Sequence, residues 1–380
     1  MFLKLRLAAC AMASTMALAP LAHVYAQTPS SIPSVDLSKH SVPLDEVYFD
    51  TFRRTANRAV PLTEADTELI LRLRDAIPPL HSPRYESARR ARWLKDEDVV
   101  IGYASSDSAW AFPIRILNFH EIVNDTLAGE PVLISYCPLC MSGVVFSRRV
   151  GDRTLTFGNT SALYESDMVM LDYETGSYWW QVAGKAIVGT LTDTRLTVLP
   201  GVTMQWAEWV ESHPDTRVLS RETGYSRNYD RNPFSDYRER VNRGGFSFPV
   251  SKVGRDTRLD AGQTVLTVKL GDAVRAYPLG GERRVAVNDT LGDSPILVLV
   301  DGRGGGAAYT PILAGRKLTF RVRRGEFRDR QTDSRWDSSG VAVEGELRGQ
   351  RLRQLPSRTS LWFAIVAVEP GITVYRGLVR

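Results

Sequence analysis

The chain carries one pattern twice, and this limits what it can fold into more than any single motif does. Val123-Asn124-Asp125-Thr126-Leu127 returns as Val287-Asn288-Asp289-Thr290-Leu291 at an offset of 164, and Leu155-Thr156-Phe157 returns as Leu318-Thr319-Phe320 at 163. Asp172, Thr175, Ser177 and Trp179 return as Asp329, Thr332, Ser334 and Trp336 at 157. Gly184, Gly189, Leu199, Pro200 and Trp206 return as Gly340, Gly345, Leu355, Pro356 and Trp362 at 156. Blocks in one order imply an internal repeat. Shared positions then read as scaffold and differing positions as function. His120, Cys137 and Cys140 of the first copy stand opposite Arg284, Asp301 and Gly304 of the second. The offset falls by six between Phe157 and Asp172, so the first copy is longer there, in a stretch that includes Ser166-Asp167-Met168-Val169-Met170.

The texture of the chain is β. Short apolar runs at Val99–Tyr103, Ala109–Leu117, Val132–Tyr136, Val144–Phe146 and Leu155–Phe157 are broken by Gly, Asp and Asn, and the second copy repeats this. No helical stretch long enough for a parallel crossover separates them, which favours antiparallel barrels or sandwiches. Helical spacing of Leu69, Ile70, Leu73 and Ile77 predicts a helix from Thr63, the expected N-cap, to Pro78. A shorter helix is expected over Arg84 to Leu94, and another at Trp206–His213, stopped by Pro214. The shared Asn124-Asp125 and Asn288-Asp289 pairs read as turn residues that bond the local backbone.

Lys4 and Arg6, an apolar run from Leu7 to Ala19 and Val24-Tyr25-Ala26 form a secretory signal pattern, giving a periplasmic or secreted mature chain. No later segment is apolar enough to be a transmembrane segment. Lys and Arg number 48 against 43 Asp and Glu, interspersed and without an aromatic-interleaved basic motif, so no nucleic-acid partner is expected.

Once Cys10 is removed with the signal, Cys137 and Cys140 are the remaining cysteines. An inert disulfide is one reading in an oxidising compartment. Closing so short a loop, however, removes little entropy from the unfolded chain. A thiolate pair at this spacing can clasp a soft metal ion, and it also suits dithiol–disulfide exchange. A thioredoxin-like site would start a helix at its second cysteine, whereas Met141-Ser142-Gly143-Val144-Val145-Phe146 reads as β. His120 joins the candidates because the second copy replaces it, and a His with two Cys is a familiar set for copper or zinc. Glu121 beside it reads as a supporting acid, a base or a surface acid. Met168 and Met170 are either thioether ligands, which suit Cu(I), or core residues alternating on a strand. Asp167 reads equally as a ligand or a turn residue.

The run Asn118-Phe119-His120-Glu121-Ile122-Val123-Asn124-Asp125, followed by Tyr136-Cys137-Pro138-Leu139-Cys140, resembles a bacterial and archaeal family known as domain of unknown function 3179. Ser166-Asp167-Met168-Val169-Met170, Asp172, Thr175 and Gly184–Gly189 fit its pattern as well. The resemblance runs from Ala76 to Ser220 and continues weakly to the end. The chain departs from the pattern at Phe119, where Trp is common, and at Met141, where Gly or a small residue is usual. The resemblance implies an exported or membrane-associated protein and supplies no activity.

The sequence therefore predicts a mainly β protein of two tandem duplicated antiparallel modules, barrel or sandwich, after a short helical N-terminal segment. The expected division is a signal peptide at 1–26, a tether and helical segment at 27–97, a first module at 98–220, a connection at 221–262 and a second module at 263–380. The first module is expected to bind copper, with zinc as the alternative, through His120, Cys137 and Cys140 and through Met168 or Met170. A redox role with a small molecule or redox partner would follow. A metal-free dithiol oxidoreductase or redox sensor, and a non-enzymatic ligand-binding or assembly module, stand as alternatives.

Overall fold

A computed structural model describes residues 32–53 and 58–378; the signal pattern at 1–26 and the start of the tether lie outside the described residues. The fold is mainly β, and none of its sheets closes into a barrel. Two eight-stranded sheets form its centre. One runs Val285–Leu291, Ser294–Val300, Gly306–Tyr309, Gly201–Gln205, Val99–Ala104, Ala109–Pro113, Arg217–Leu219, Tyr85–Ser87. The other runs Leu80–His81, Ile122–Leu127, Glu130–Cys137, Ser142–Ser147, Ser357–Leu361, Thr264–Leu270, Ala273–Pro278, Thr373–Val374.

Each of these sheets mixes strands from both halves of the chain. The joints are Thr203 against Gly306 and Gly143 against Thr359, both antiparallel. Neither 98–220 nor 263–380, the stretches expected as the first and second modules, holds a whole sheet of its own at the centre. Ser142–Ser147 is buried along its whole length and lies between Glu130–Cys137 of its own half and Ser357–Leu361 of the other.

Residues of the repeated blocks make like bonds in both halves. The Asn124 side chain exchanges two 2.8 Å hydrogen bonds with the Phe157 backbone, and Asn288 does the same with Phe320. Trp179 donates to Asp172 at 2.8 Å and Trp336 to Asp329 at 3.0 Å. Asn124 and Asn288 thus sit inside strands and tie a distant hairpin to them, instead of shaping a turn as expected.

The hairpins differ in length. Phe157–Tyr164 with Asp167–Asp172 in the first half corresponds to Phe320–Arg323 with Glu326–Asp329 in the second. The extra residues of the first half lengthen this hairpin. Its outer edge is extended by Tyr48–Asp50 and Ala59–Pro61 into a six-stranded sheet.

Helices are short. α1, Thr67–Leu73, is capped by Asp66, which accepts from the Leu69 N–H at 2.7 Å, so the cap is Asp66 and not Thr63. The expected strand Ala109–Leu117 ends at Pro113, where α2, Ile114–His120, begins; Ile116, Leu117 and His120 fall at helical spacing and are buried. Residues 84–94 form a strand and turns instead of a helix. α3, Trp206–Ser212, stops just before Pro214 as read. The connection 221–262 holds α4, Tyr237–Asn242, and α5, Trp362–Val368, follows the strand Ser357–Leu361.

The two central sheets approach closely at Gly143. A Cβ there would lie 2.8 Å from Thr203 Oγ1 and 2.9 Å from Ile101 Cδ1. Gly143→Ala should therefore cost about 1–3 kcal/mol by overpacking, whereas Gly371→Ala, which meets nothing within 4 Å, should be close to neutral. Denaturant unfolding of both variants checks this, and equal midpoints would contradict the close approach.

Candidate metal centre

Strand Glu130–Cys137 pairs with Ser142–Ser147 so that Cys137 faces Ser142, leaving Pro138 to Met141 as the connection. Met141 completes it in the left-handed region, φ 46°, where a side chain is strained. The turn folds Cys140 back toward Cys137. Its carbonyl accepts from the Leu361 N–H at 2.8 Å, so the second half holds the turn from behind. Both cysteines are free and buried, at 1% and 0% exposure.

Asp167 completes the group. It starts the second strand of the lengthened hairpin, and that length carries it to the turn. The Cys140 thiol donates to Asp167 Oδ1 at 2.8 Å, and Oδ2 accepts from the Val182 N–H at 2.9 Å. One donor atom from each of Cys137, Cys140 and Asp167 lies within 4.8 Å of the others. The hairpin tip is gripped by the connection between the halves: Glu165 accepts from the Ser251 N–H at 2.9 Å, and Ser166 lies 3.4 Å from the Tyr237 hydroxyl.

A cavity of about 180 Å³ opens beside the group. Cys137, Met168, Glu121 and Asn159 line one part of it, and Leu163 and Phe234 another. The Arg58–Asp50 ion pair, 2.7 Å, also borders it. A bulge places Asn159: the register jumps between Asn159 and Ala162, leaving Thr160 and Ser161 without cross-strand partners, and Ser161 is left-handed at φ 59°. Asn159 then donates to Glu121 Oε2 at 2.6 Å. Glu121 itself caps α2 in the left-handed region, φ 58°.

The electrostatics are those of acids without a counter-charge. Burial pushes the Glu121 carboxyl up to about 8, with the Asp167 and Asp50 charges adding to the rise and the Asn159 bond opposing it. Burial likewise lifts Asp167 to about 6 and raises both thiols, Cys140 the further of the two. No basic side chain among the described residues forms an ion pair with Glu121 or Asp167. A bound cation would reverse these shifts by favouring the charged form of each group.

The residues read from sequence separate here. Cys137 and Cys140 come together. Met168 lines the cavity, and its sulfur takes a contact from Asn159 Nδ2 at 3.4 Å. Met170 is fully buried, pairs with Trp179 and does not line the cavity. His120 stands outside the group. Its Nδ1 bonds the Pro78 carbonyl at 2.8 Å and its Nε2 the Tyr229 hydroxyl at 2.7 Å, so both ring nitrogens are already engaged. Burial holds its imidazole down at about 4, neutral at physiological pH. Asp167 takes the place expected for His120. Asn159 was not singled out from sequence, although it lies in the stretch where the offset between copies changes.

A family model described as "Protein of unknown function (DUF3179)" matches residues 74–371, and the chain belongs to that family. The match spans both halves, well beyond the 76–220 stretch that carries the motifs. No curated protein and no solved structure matches the chain.

Because the folded-state pKa of Glu121 is raised, its contribution to stability is fully present below about 4.5 and is lost as pH rises through about 8. In chelator-treated protein, Glu121→Gln should raise Tm over wild type by about 2 °C or more near pH 8.5, and should leave little difference at about pH 3.5, where the group is mostly protonated in both states. Thermal scans at the two pH values check this, and an equal gain at both would contradict a raised Glu121.

Proposed function

We propose that this member of the DUF3179 family is an exported metalloprotein in which Cys137, Cys140 and Asp167 hold one ion at the edge of the cavity. The observation that carries this reading is the convergence of three fully buried acidic donors with no basic partner. Burying acids in this way is costly unless they are protonated or matched by a cation. Three protein ligands also leave a coordination position free, as catalytic sites do. The cavity offers a place for a water or a small substrate there, with Glu121 and Asn159 as its polar groups.

The donor set bears on which metal is bound. The preference for copper over zinc rested on the methionines, since a His with two Cys suits either metal. With a carboxylate in place of the imidazole, two thiolates and one oxygen suit zinc better than Cu(I). Copper keeps support from Met168 alone. A second reading has one specific observation behind it: Cys137 lines the cavity while Cys140 lies behind it, the layout of an attacking and a resolving thiol. Burial raises both thiols, which works against thiolate attack. Export rests on the N-terminal signal pattern, and descent of the two halves from one duplicated module rests on the repeated blocks and their matching bonds.

Titration of reduced apo-protein with Co²⁺ and Zn²⁺ tests the site. One equivalent should bind, with thiolate-to-cobalt charge-transfer absorption, and affinity should fall as pH is lowered because the ligands must lose protons. Cys137→Ser and Asp167→Asn should each weaken binding by more than about a hundredfold, beyond the usual effect of a residue that only supports a ligand. His120→Ala should leave the charge-transfer band in place. Loss of the band in His120→Ala with its retention in Asp167→Asn would overturn the ligand set.

A further inference from the structure

A second place where the halves differ lies away from the cysteines, at the edge of the first half. The turn joining Val99–Ala104 to Ala109–Pro113 spans Ser105 to Ser108, whereas its counterpart between Thr264–Leu270 and Ala273–Pro278 is only Gly271-Asp272. Opposite that longer turn stands His213. The corresponding residue of the second half, at offset 156, is Glu369, whose carboxylate is paired with Lys269 at 2.8 Å. The second half closes this corner with an ion pair. The first leaves it open, as a cleft of about 350 Å³.

His213 is in an unusual state. Its ring stacks on Trp209 with centroids 4.0 Å apart and planes at 21°. Both ring nitrogens are shielded from solvent; the Trp209 carbonyl acts on the ring, but neither nitrogen makes a well-formed hydrogen bond among the described residues. Buried polar atoms are nearly always bonded, so an unpaired pair of them calls for something that bonds them. Arg217 and Arg351 line the same cleft. Neither forms an ion pair among the described residues, although Arg217 lies over the Trp110 ring at 6.0 Å.

We propose that this cleft binds a small hydroxy-carboxylate, held by Arg217 and Arg351 through its carboxylate and by the Ser105–Ser108 turn through its hydroxyl, with the His213 ring turning on binding to bring a nitrogen to that hydroxyl. Guanidinium groups and serine hydroxyls together favour an oxyanion. Asp107 and Asp215 also line the cleft and would repel a dianion, which selects a singly charged carboxylate over phosphate. Burial and the Arg351 charge keep the His213 imidazole below its ordinary pKa. A neutral ring offers one N–H donor and one bare nitrogen acceptor. A hydroxyl, which both donates and accepts, satisfies the acceptor as a plain carboxylate cannot.

Calorimetric titration of the full chain with glycolate, acetate and inorganic phosphate tests this, with the His213 ring ¹⁵N shifts as a second readout. Glycolate should bind saturably and move the His213 resonances, and acetate should bind more weakly. Arg351→Met should weaken glycolate at least about tenfold, the loss expected for a charge-assisted hydrogen bond, and His213→Phe, which keeps the stack on Trp209, about three- to tenfold, that of a neutral one. Unchanged thermal unfolding would show that the variants remain folded. Absence of saturable glycolate binding, affinity unaltered in both variants, or phosphate binding as tightly as glycolate would overturn the proposal.

Discussion

The exclusion of water from Glu121, Cys137, Cys140 and Asp167 is the constraint on which the rest of the first half depends. Acidic groups are ordinarily left at the surface, where solvation of the charged form costs nothing. Here the turn, the lengthened hairpin and the connection all bury them. Leu361 from the second half backs the turn, and Tyr237 and Ser251 from the connection hold the hairpin tip. Loosening any of these would let water reach the thiols, so the distant elements matter to the site through what they exclude.

The second half provides an internal comparison. Asp301, at the position of Cys137, accepts from the Arg303 and Gly305 backbone N–H groups at 2.7 and 2.9 Å. Glu208 reaches the same region from α3, and both its oxygens take Arg284 at 2.8 Å. Arg284 occupies the sequence position that His120 has in the first half. Glu208, which the first half contributes to this region, is therefore met by a fixed guanidinium from the second, a permanent charge that cannot leave. Asp301 forms no ion pair among the described residues and relies on backbone N–H groups, and Glu121 and Asp167 have no guanidinium partner there either.

Much of this was legible in the chain. The matching sequence blocks located matching bonds, because Asn124, Asp172, Trp179 and the residues aligned with them bond in the same way in both halves. The copy differences led to Cys137, Cys140 and the stretch containing Asp167. What pairwise offsets could not convey was the exchange of strands. A strand buried on both faces is satisfied equally by a neighbour from its own half or the other, and hydrophobic pattern does not say which. His120 stands apart from the group of Cys137, Cys140 and Asp167 for a related reason. Its nearness to the cysteines along the chain was real, but it ends α2, and the left-handed Glu121 that follows turns the chain so that the acid, not the imidazole, lines the cavity. Ala109–Leu117 illustrates the ambiguity of a short apolar run, which serves a strand up to Pro113 and a helix after it.

Backbone strain marks the same place independently of the donor atoms. Glu121, Met141, Ser161, Glu165 and Ser166 all have positive φ without being glycine, each at a cost of roughly 1–3 kcal/mol. Val285, aligned with Glu121, is an ordinary strand residue, and the shorter hairpin has no bulge to match Ser161. The hairpin tip is left-handed in both halves, with Arg324 and Gly325 at φ 53° and 80° in the second, so that conformation belongs to the tight turn. The conformations found in the first half alone aim Glu121 into the cavity and displace Asn159. Strain held at one site and relaxed at its equivalent is the expected mark of geometry kept for chemistry and not for packing.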